Sequence, residues 1–437
     1  MSPAIRAAAA VAALAVVFTA GRADAIPAFA RRTGMGCPAC HDAWPRLNDF
    51  GELYRDRGYR VDSISDEAWY RALTNVPVSV RTSVGYQYQN LTNQATDQGA
   101  VTTTSGGFIF PAADLLFGTA FSDHVSALVV ASGFGRDSTV ALESAWGRIN
   151  DIYTPWLNVR VGKLELDLPM SEHRTYTLTQ PYLVYHYHSP GSSNGFSLGD
   201  NQLGAEVSGH CPNHVGFRYA LAVSSDGGSP TASQWAFSAP TIYGHVTQTV
   251  LPRSRLLSRV RVGFFFDVGW TPSQFKTLTP MGGAPAPVAG TGFQHRLVFQ
   301  TGGELHATFG PLARPLMLSV VWLYGEDDKD LIANSAQNGK YHGGFVELAY
   351  TPLLALTAFF RYDGVYALQQ GDPTQPPATG DQTAFTAGVR YAIWQAAWGS
   401  LMGHAEVSTT NTENAATLAM PAAVRGTLAF AGFDFAL

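Results

Sequence analysis

The sequence predicts a transmembrane antiparallel β-barrel of about sixteen strands behind a small N-terminal helical segment. Three observations carry that expectation. Apolar and polar residues alternate along most of the chain, the links between alternating stretches are short and long by turns, and no stretch beyond the N-terminus is long and apolar enough for a membrane-spanning helix. Composition agrees. The 437 residues carry 28 Lys+Arg against 33 Asp+Glu, a net charge of −5, and charged residues make up 14%, well below the roughly 25% of soluble domains. No basic stripe suggests nucleic acid.

The first 25 residues read as a secretory signal. Arg6 supplies the positive start, residues 7–20 (AAAAVAALAVVFTA) the apolar core, and Ala23 to Ala25 a small-residue cleavage site. The apolar run falls short of the ~20 residues of a membrane span. The mature chain is expected to begin near Ile26.

Residues 26–75 form a separate small unit. The stretch PRLNDFGELYRDRGY predicts a helix with Pro45 in its first turn, Leu47, Phe50 and Tyr54 on one face, and Gly58 at its end. A second short helix is expected at 66–73, capped by Ser65, with Asp66 and Glu67 in its first turn and Ile64 against Trp69.

From Val76 the texture becomes that of strands. Val78, Val80, Thr82, Val84, Tyr86 and Tyr88 oppose Ser79, Arg81, Ser83, Gly85, Gln87 and Gln89. Val260, Val262, Phe264, Phe266, Val268 and Trp270 likewise oppose Arg259, Arg261, Gly263, Asp267 and Gly269. Candidate strands fall at 76–89, 107–118, 123–132, 139–150, 155–166, 202–209, 215–224, 240–250, 257–270, 293–309, 315–326, 341–351, 354–366, 383–394, 397–410 and 422–437. Links such as 119–122, 151–154, 210–214 and 395–396 are short, while 90–106, 167–201, 225–238, 271–292 and 411–421 are long; only 133–138 is shorter than its class. Outer-membrane barrels show that parity, with short periplasmic turns and long outer loops; a β-sandwich has no reason to keep it. The apolar face then meets lipid, and Arg81, Arg259, Arg261, Asp267, Arg361, Asp363 and Arg390 face the lumen. Trp146, Trp156, Trp270, Trp322, Trp394 and Trp398 are expected in interfacial girdles. The tyrosine-rich link 167–201 reads as one long third outer loop, although it has room for two further strands.

The chemistry concentrates in RRTGMGCPACHDAWPRL, residues 31–47. Cys37 and Cys40 are two of only three cysteines, His41 follows directly, and Cys211 is left over in a predicted periplasmic turn. In an exported protein Cys-x-x-Cys-His reads as the attachment site of one covalent c-type haem, with both thiols bound to the porphyrin and His41 as axial iron ligand. Zinc would need further ligands, and a thioredoxin-like site would need a βαβ setting. No sixth ligand is evident in the small unit; Met170 and His173, with His186 and His188, are the weak candidates in the third loop. Glu172, Glu326, Asp327, Asp328, Asp330, Asp372 and Asp381 are loop carboxylates able to attract a hard cation. About fifty residues bury a haem poorly alone, so the unit is expected to sit in the barrel mouth or lumen.

This order of parts resembles the fused monohaem cytochrome–porins of iron-oxidising bacteria, outer-membrane Fe(II) oxidases. The likeness is strongest from Ile26 to Val61, through Pro27-Ala28-Phe29-Ala30-Arg31, Cys37, Cys40, His41, Pro45, Leu47, Asn48, Gly51 and Gly58-Tyr59, with VGKLELDLPMSEH (161–173) as a weaker second point. The resemblance implies a signal peptide at 1–25, a cytochrome unit at 26–75 and an outer-membrane barrel at 76–437. It implies haem c on Cys37, Cys40 and His41. Its partners would be extracellular Fe(II) or another one-electron donor or acceptor, a periplasmic c-type cytochrome or cupredoxin, and outer-membrane lipid. It implies no catalytic residues and no Fe(II)-binding residues. A solute porin with a structural haem plug is the alternative.

Overall fold

The computed structural model describes residues 29, 35, 37–43, 45–61, 78–96, 99–133, 140–192, 194–225, 240–252, 254, 256–272, 295–310, 314–333, 335–371, 379–396, 399–413 and 423–437. The signal stretch, the expected helix at 66–73, Asp372 and Trp398 lie outside them.

Two short strands, β1 (His41–Ala43) and β2 (Arg46–Leu47), pair with each other in the N-terminal segment. Sixteen further strands form one closed antiparallel barrel: β3 (Val78–Thr96), β4 (Gly99–Ala120), β5 (Val125–Ser132), β6 (Ala141–Ile149), β7 (Asn158–Leu164), β8 (Gln202–His210), β9 (Phe217–Ser225), β10 (Pro240–Val250), β11 (Leu257–Pro272), β12 (His295–Phe309), β13 (Leu316–Asp327), β14 (Gly339–Leu353), β15 (Leu356–Gln369), β16 (Gln382–Ala396), β17 (Gly399–Glu413) and β18 (Ala423–Ala436). β18 pairs with β3 to close the ring. Closure leaves no open edge, so backbone groups in the hydrocarbon are paired within the protein. The barrel has sixteen strands, not eighteen, among the described residues, because 167–201 is a loop.

The alternation sorts as the pleat requires. On β3, Val80, Tyr86 and Tyr88 are exposed outward while Ser79 and Ser83 are buried. On β11, Val262, Phe264 and Trp270 are exposed and Phe265 and Asp267 are buried. Arg361, Asp363 and Arg390 are buried on the lumen side.

Two expectations need correction. The link 90–106 is not a long loop: β3 and β4 run on to Thr96 and from Gly99, pairing as far as Thr96↔Gly99. The Thr- and Gln-rich sequence there has ample strand propensity and lacks the apolar face by which a membrane strand is recognised. Trp146 is not a girdle residue. It lies on the lumen face of β6, 7% exposed, stacked on Tyr59 at 6.2 Å between ring centroids and beneath the Arg160 guanidinium.

The third loop folds into the lumen, where Leu166, Leu168, Met170, Tyr182, Tyr185 and Leu198 join one buried cluster with Phe265, Leu323 and Phe345 from the wall. It contains a 3₁₀ turn (Glu172–Arg174) and one α-helical turn (Leu183–His186). Wall side chains hold its backbone. Arg361 donates to the Gln180 and Pro181 carbonyls at 2.7 and 2.9 Å, Arg390 to the Tyr176 carbonyl at 2.8 Å, and Glu406 accepts from the Leu178 and Thr179 N–H groups at 3.0 and 2.8 Å.

Candidate functional site

The N-terminal segment reaches the lumen from the side of the short turns, and each of its chemistry-bearing residues is placed by local sequence. Cys37–Cys40 forms a single helical turn, α1. The Cys40 carbonyl accepts from the Asn48 N–H at 2.9 Å, and the Asn48 side chain donates to the Ala39 carbonyl at 3.1 Å. Asn48 is also the N-cap of α2 (Asp49–Asp56), accepting from the Gly51 N–H at 2.9 Å. The helix therefore begins four residues later than the Pro45 start expected from sequence. The Pro45 and Arg46 carbonyls serve His41 instead, accepting from Nδ1 at 3.1 and 3.0 Å. Gly51 is needed because a Cβ there would lie 2.1 Å from the Cys40 oxygen. At the far end Gly58 ends the helix as expected, at φ +68°, packed so that a Cβ would fall 2.2 Å from Asn150 Oδ1.

Ion pairs seat the segment against the wall. Glu52 meets Arg259 at 2.5 Å and Arg261 at 3.0 Å, and Asp49 meets Arg259 at 2.9 Å. Arg46 pairs with Glu347, which also accepts from the Tyr182 hydroxyl of the third loop at 3.3 Å, so segment, wall and loop meet at one carboxylate. Arg60 pairs with Asp151, and Arg57 donates to the Pro212 carbonyl at 2.5 Å; both partners lie on short turns. Arg148 donates to the Asp56 carbonyl at 2.5 Å, a cation at a helix C-terminus. Burial would raise the Glu52 carboxyl, but Arg259 and Arg261 outweigh it and hold the group at about 2.

Between segment, wall and third loop lies a cavity of about 230 Å³ lined by Cys40 and His41. Its apolar wall includes Phe29, Leu47, Tyr54, Tyr59, Leu128 and Trp146, and Arg55, Arg148, Arg160 and Arg174 supply guanidiniums. Phe29 stacks on Tyr59 at 4.5 Å between centroids. Burial pushes the Cys40 thiol up to about 11 and the His41 imidazole down to about 4. His41 is thus neutral. Carbonyls accept only, so Nδ1 carries the proton and Nε2 keeps its lone pair. Among the described residues Nε2 takes no hydrogen bond. A ligating histidine has this arrangement, with its second nitrogen held by a carbonyl.

The residues fit a c-type haem. The Cys40 thiol and a carbonyl-held imidazole share one cavity, apolar on its walls as a porphyrin face requires. Arg148 Nε and Arg160 Nε are buried there without a hydrogen-bond partner, donors suited to carboxylate edges. These arginines were not singled out in the sequence; their alternate positions on β6 and β7 mark them as lumen-facing.

Met170, His173 and His186 of the third loop do not offer a sixth ligand as placed. His173 reaches the cavity, but Nδ1 lies 2.7 Å from Glu143 and Nε2 3.2 Å from Asn201 Oδ1. Burial would lower it, yet Glu165 and Glu143 raise it to about 9, and an imidazolium has no lone pair for iron. Met170 lines a neighbouring cavity with Arg46 and Leu47 rather than this one. His186 pairs with Glu172 at 2.9 Å and contacts Ser197 at 2.8 Å. The loop carboxylates are dispersed among structural tasks. Glu172 also accepts from the Tyr182 N–H, Glu326 from Asn338, Asp327 from the Ser189 N–H, Asp328 from the Asp330 N–H, Asp330 from Arg296 and Asp381 from the Ala367 N–H. Among the described residues no three His, Cys, Asp or Glu side chains form a metal-holding group.

No protein-family model and no curated protein sequence matches the chain. Solved structures do. An anion-selective porin from Comamonas acidovorans aligns with TM-score 0.52 at 12% identity, over 82% of this chain and 99% of that one. The outer-membrane channel DcaP of Acinetobacter baumannii gives 0.47 at 12%, over 81% and 97%, and OprB of Pseudomonas putida 0.46 at 11%, over 82% and 94%. Likeness at this identity shows the barrel fold and nothing of a haem or of iron oxidation. The closed sixteen-stranded barrel and its outward apolar faces place the chain in the bacterial outer membrane.

Proposed function

We propose that the protein is an outer-membrane electron conduit, taking electrons from extracellular Fe(II) and passing them through one haem c to a periplasmic c-type cytochrome or cupredoxin. In this reading residues 1–25 are the signal peptide, 26–75 the cytochrome unit and 76–437 the barrel. The observation that carries it is His41, immediately after Cys40, with Nδ1 held by two carbonyls and the ring lining a cavity inside the lumen. Covalently bound haem supplies one-electron chemistry there. Cys37 and Cys40 anchor it through thioethers. The Pro45 and Arg46 carbonyls fix the imidazole orientation. Arg148 and Arg160 meet acidic edges, while Phe29, Tyr59 and Trp146 exclude water. The ion pairs of Glu52, Arg46 and Arg60 keep the segment at the short-turn mouth, within reach of a periplasmic carrier. The test is haem staining and a redox titration of the purified protein with Fe(II) across pH. A Soret band, with reduction by Fe(II), supports the reading; a mature mass equal to the amino acids alone contradicts it.

A second reading, a solute porin, is favoured by the barrel's likeness to an anion-selective porin. Against it stands a lumen occupied by both the N-terminal segment and the third loop. Solute conductance in planar bilayers, unchanged by Cys37→Ser, would favour that reading.

A further inference from the structure

We propose that His210, at the end of β8, is the second axial ligand of the haem, so that the iron is held by two imidazoles, one from the N-terminal segment and one from the barrel wall. This rests on the haem reading above and completes its coordination.

Two observations carry it. His210 lines the cavity that also holds Cys40 and His41. His41 lies on β1 of the segment and His210 on the wall, so a group held between segment and wall is met by an imidazole from each. The second observation is an orphaned atom. His210 is 4% exposed, and its Nε2 is sealed from solvent with no hydrogen-bond partner among the described residues. Buried polar side-chain atoms nearly always have a partner, and an exception calls for one that the protein chain does not itself supply. For a histidine nitrogen beside a haem cavity, iron is that partner.

The rest of the lining offers no equivalent. Among the described residues it contains no methionine, and its third histidine, His173, has both nitrogens engaged, by Glu143 and Asn201. Tyr54 and Tyr59 are packed ring against ring with Phe29. His210 also stands on firm backbone. It pairs with Arg218 across the β8–β9 ladder, and its N–H donates to the Pro155 carbonyl at 3.3 Å. A ligand on a strand is held more precisely than one on a loop.

The consequence is functional. An iron with both axial positions filled has no open site for a substrate or for oxygen, so the group is confined to passing electrons. Two imidazoles also set a lower potential than a histidine–methionine pair would. The same ligation ties the N-terminal segment to β8, alongside the ion pairs of Glu52, Arg46 and Arg60.

The test is spectroscopy of the haem-loaded full chain in detergent. The native protein should show the low-spin electron paramagnetic resonance and near-infrared magnetic circular dichroism signals of two imidazole ligands, and its ferrous form should not take up carbon monoxide. His210→Ala should lose the low-spin signals, gain the high-spin ones and bind carbon monoxide; added imidazole should restore the low-spin spectrum. His210→Met should stay low-spin with a raised midpoint potential. His214→Ala, on the exposed turn nearby, should change none of these. A native spectrum that is high-spin or shows a methionine ligand, or a His210→Ala spectrum that stays low-spin, overturns the assignment and leaves the conduit standing. A native chain without a Soret band overturns the haem and the assignment together.

Discussion

Glu52→Gln isolates the contact that seats the N-terminal segment. The carboxylate is 16% exposed and meets two guanidiniums, at 2.5 and 3.0 Å. Its pKa falls from 4.5 to about 2; at about 1.4 kcal/mol per unit this corresponds to about 3 kcal/mol, within reach of the ~3–5 kcal/mol for breaking a buried pair. The amide keeps the shape and removes the charge, leaving Arg259 to Asp49 and Arg261 to Glu304. The segment should then leave its seat on the order of a hundred times more often. Hydrogen exchange read by mass spectrometry on the full chain in detergent measures this directly. Amides of 52–57 should lose about a hundredfold in protection while the barrel strands keep theirs. A depressed carboxyl stabilises above its unfolded pKa and loses that contribution as pH falls through the folded value. In the wild type the seat should therefore hold down to about pH 4.5 and weaken from there toward pH 2. Unchanged protection in Glu52→Gln, or a uniform loss over the whole barrel, would refute the reasoning.

Three further outcomes follow from the same geometry. Arg361→Leu removes three hydrogen bonds to the third loop and leaves Asp363 buried without its 2.7 Å partner; a cost of about 3–5 kcal/mol should appear as faster proteolysis within 167–201. Gly58→Ala forces a Cβ onto Asn150 at a positive φ, so α2 should lose protection by an amount worth at least about 1–2 kcal/mol, with the strands unaffected. Phe264→Arg, on the lipid face of β11, should cost about 2–4 kcal/mol in denaturant unfolding from detergent or lipid.

The barrel was legible because its two signals are independent. Period-two alternation placed the faces, and link-length parity set the strand number. It failed where those signals were silent: the polar β3–β4 hairpin has no apolar face to mark it, and Trp146 looks the same whether it faces lipid or lumen. The Cys37-x-x-Cys40-His41 motif was legible as adjacent residues. What surrounds it was not. Arg148, Arg160, Tyr59 and Trp146 line the cavity of His41 from separate elements through closure of the ring, and no local pattern records that. Asn48 outcompeted Pro45 as the helix start because its side chain caps the Gly51 N–H, while the Pro45 carbonyl was needed by His41. The third loop's inward fold was foreshadowed by its tyrosines, but its wall contacts, Arg361 and Glu406 among them, lie about two hundred residues away in sequence.

The conduit itself is tested most directly in sealed vesicles carrying the full chain, with a ferric c-type cytochrome trapped inside and Fe(II) supplied only outside. The account predicts that the trapped cytochrome is reduced with the native chain and stays oxidised with Cys37→Ser. Equal reduction with both chains, or none with either, would contradict it.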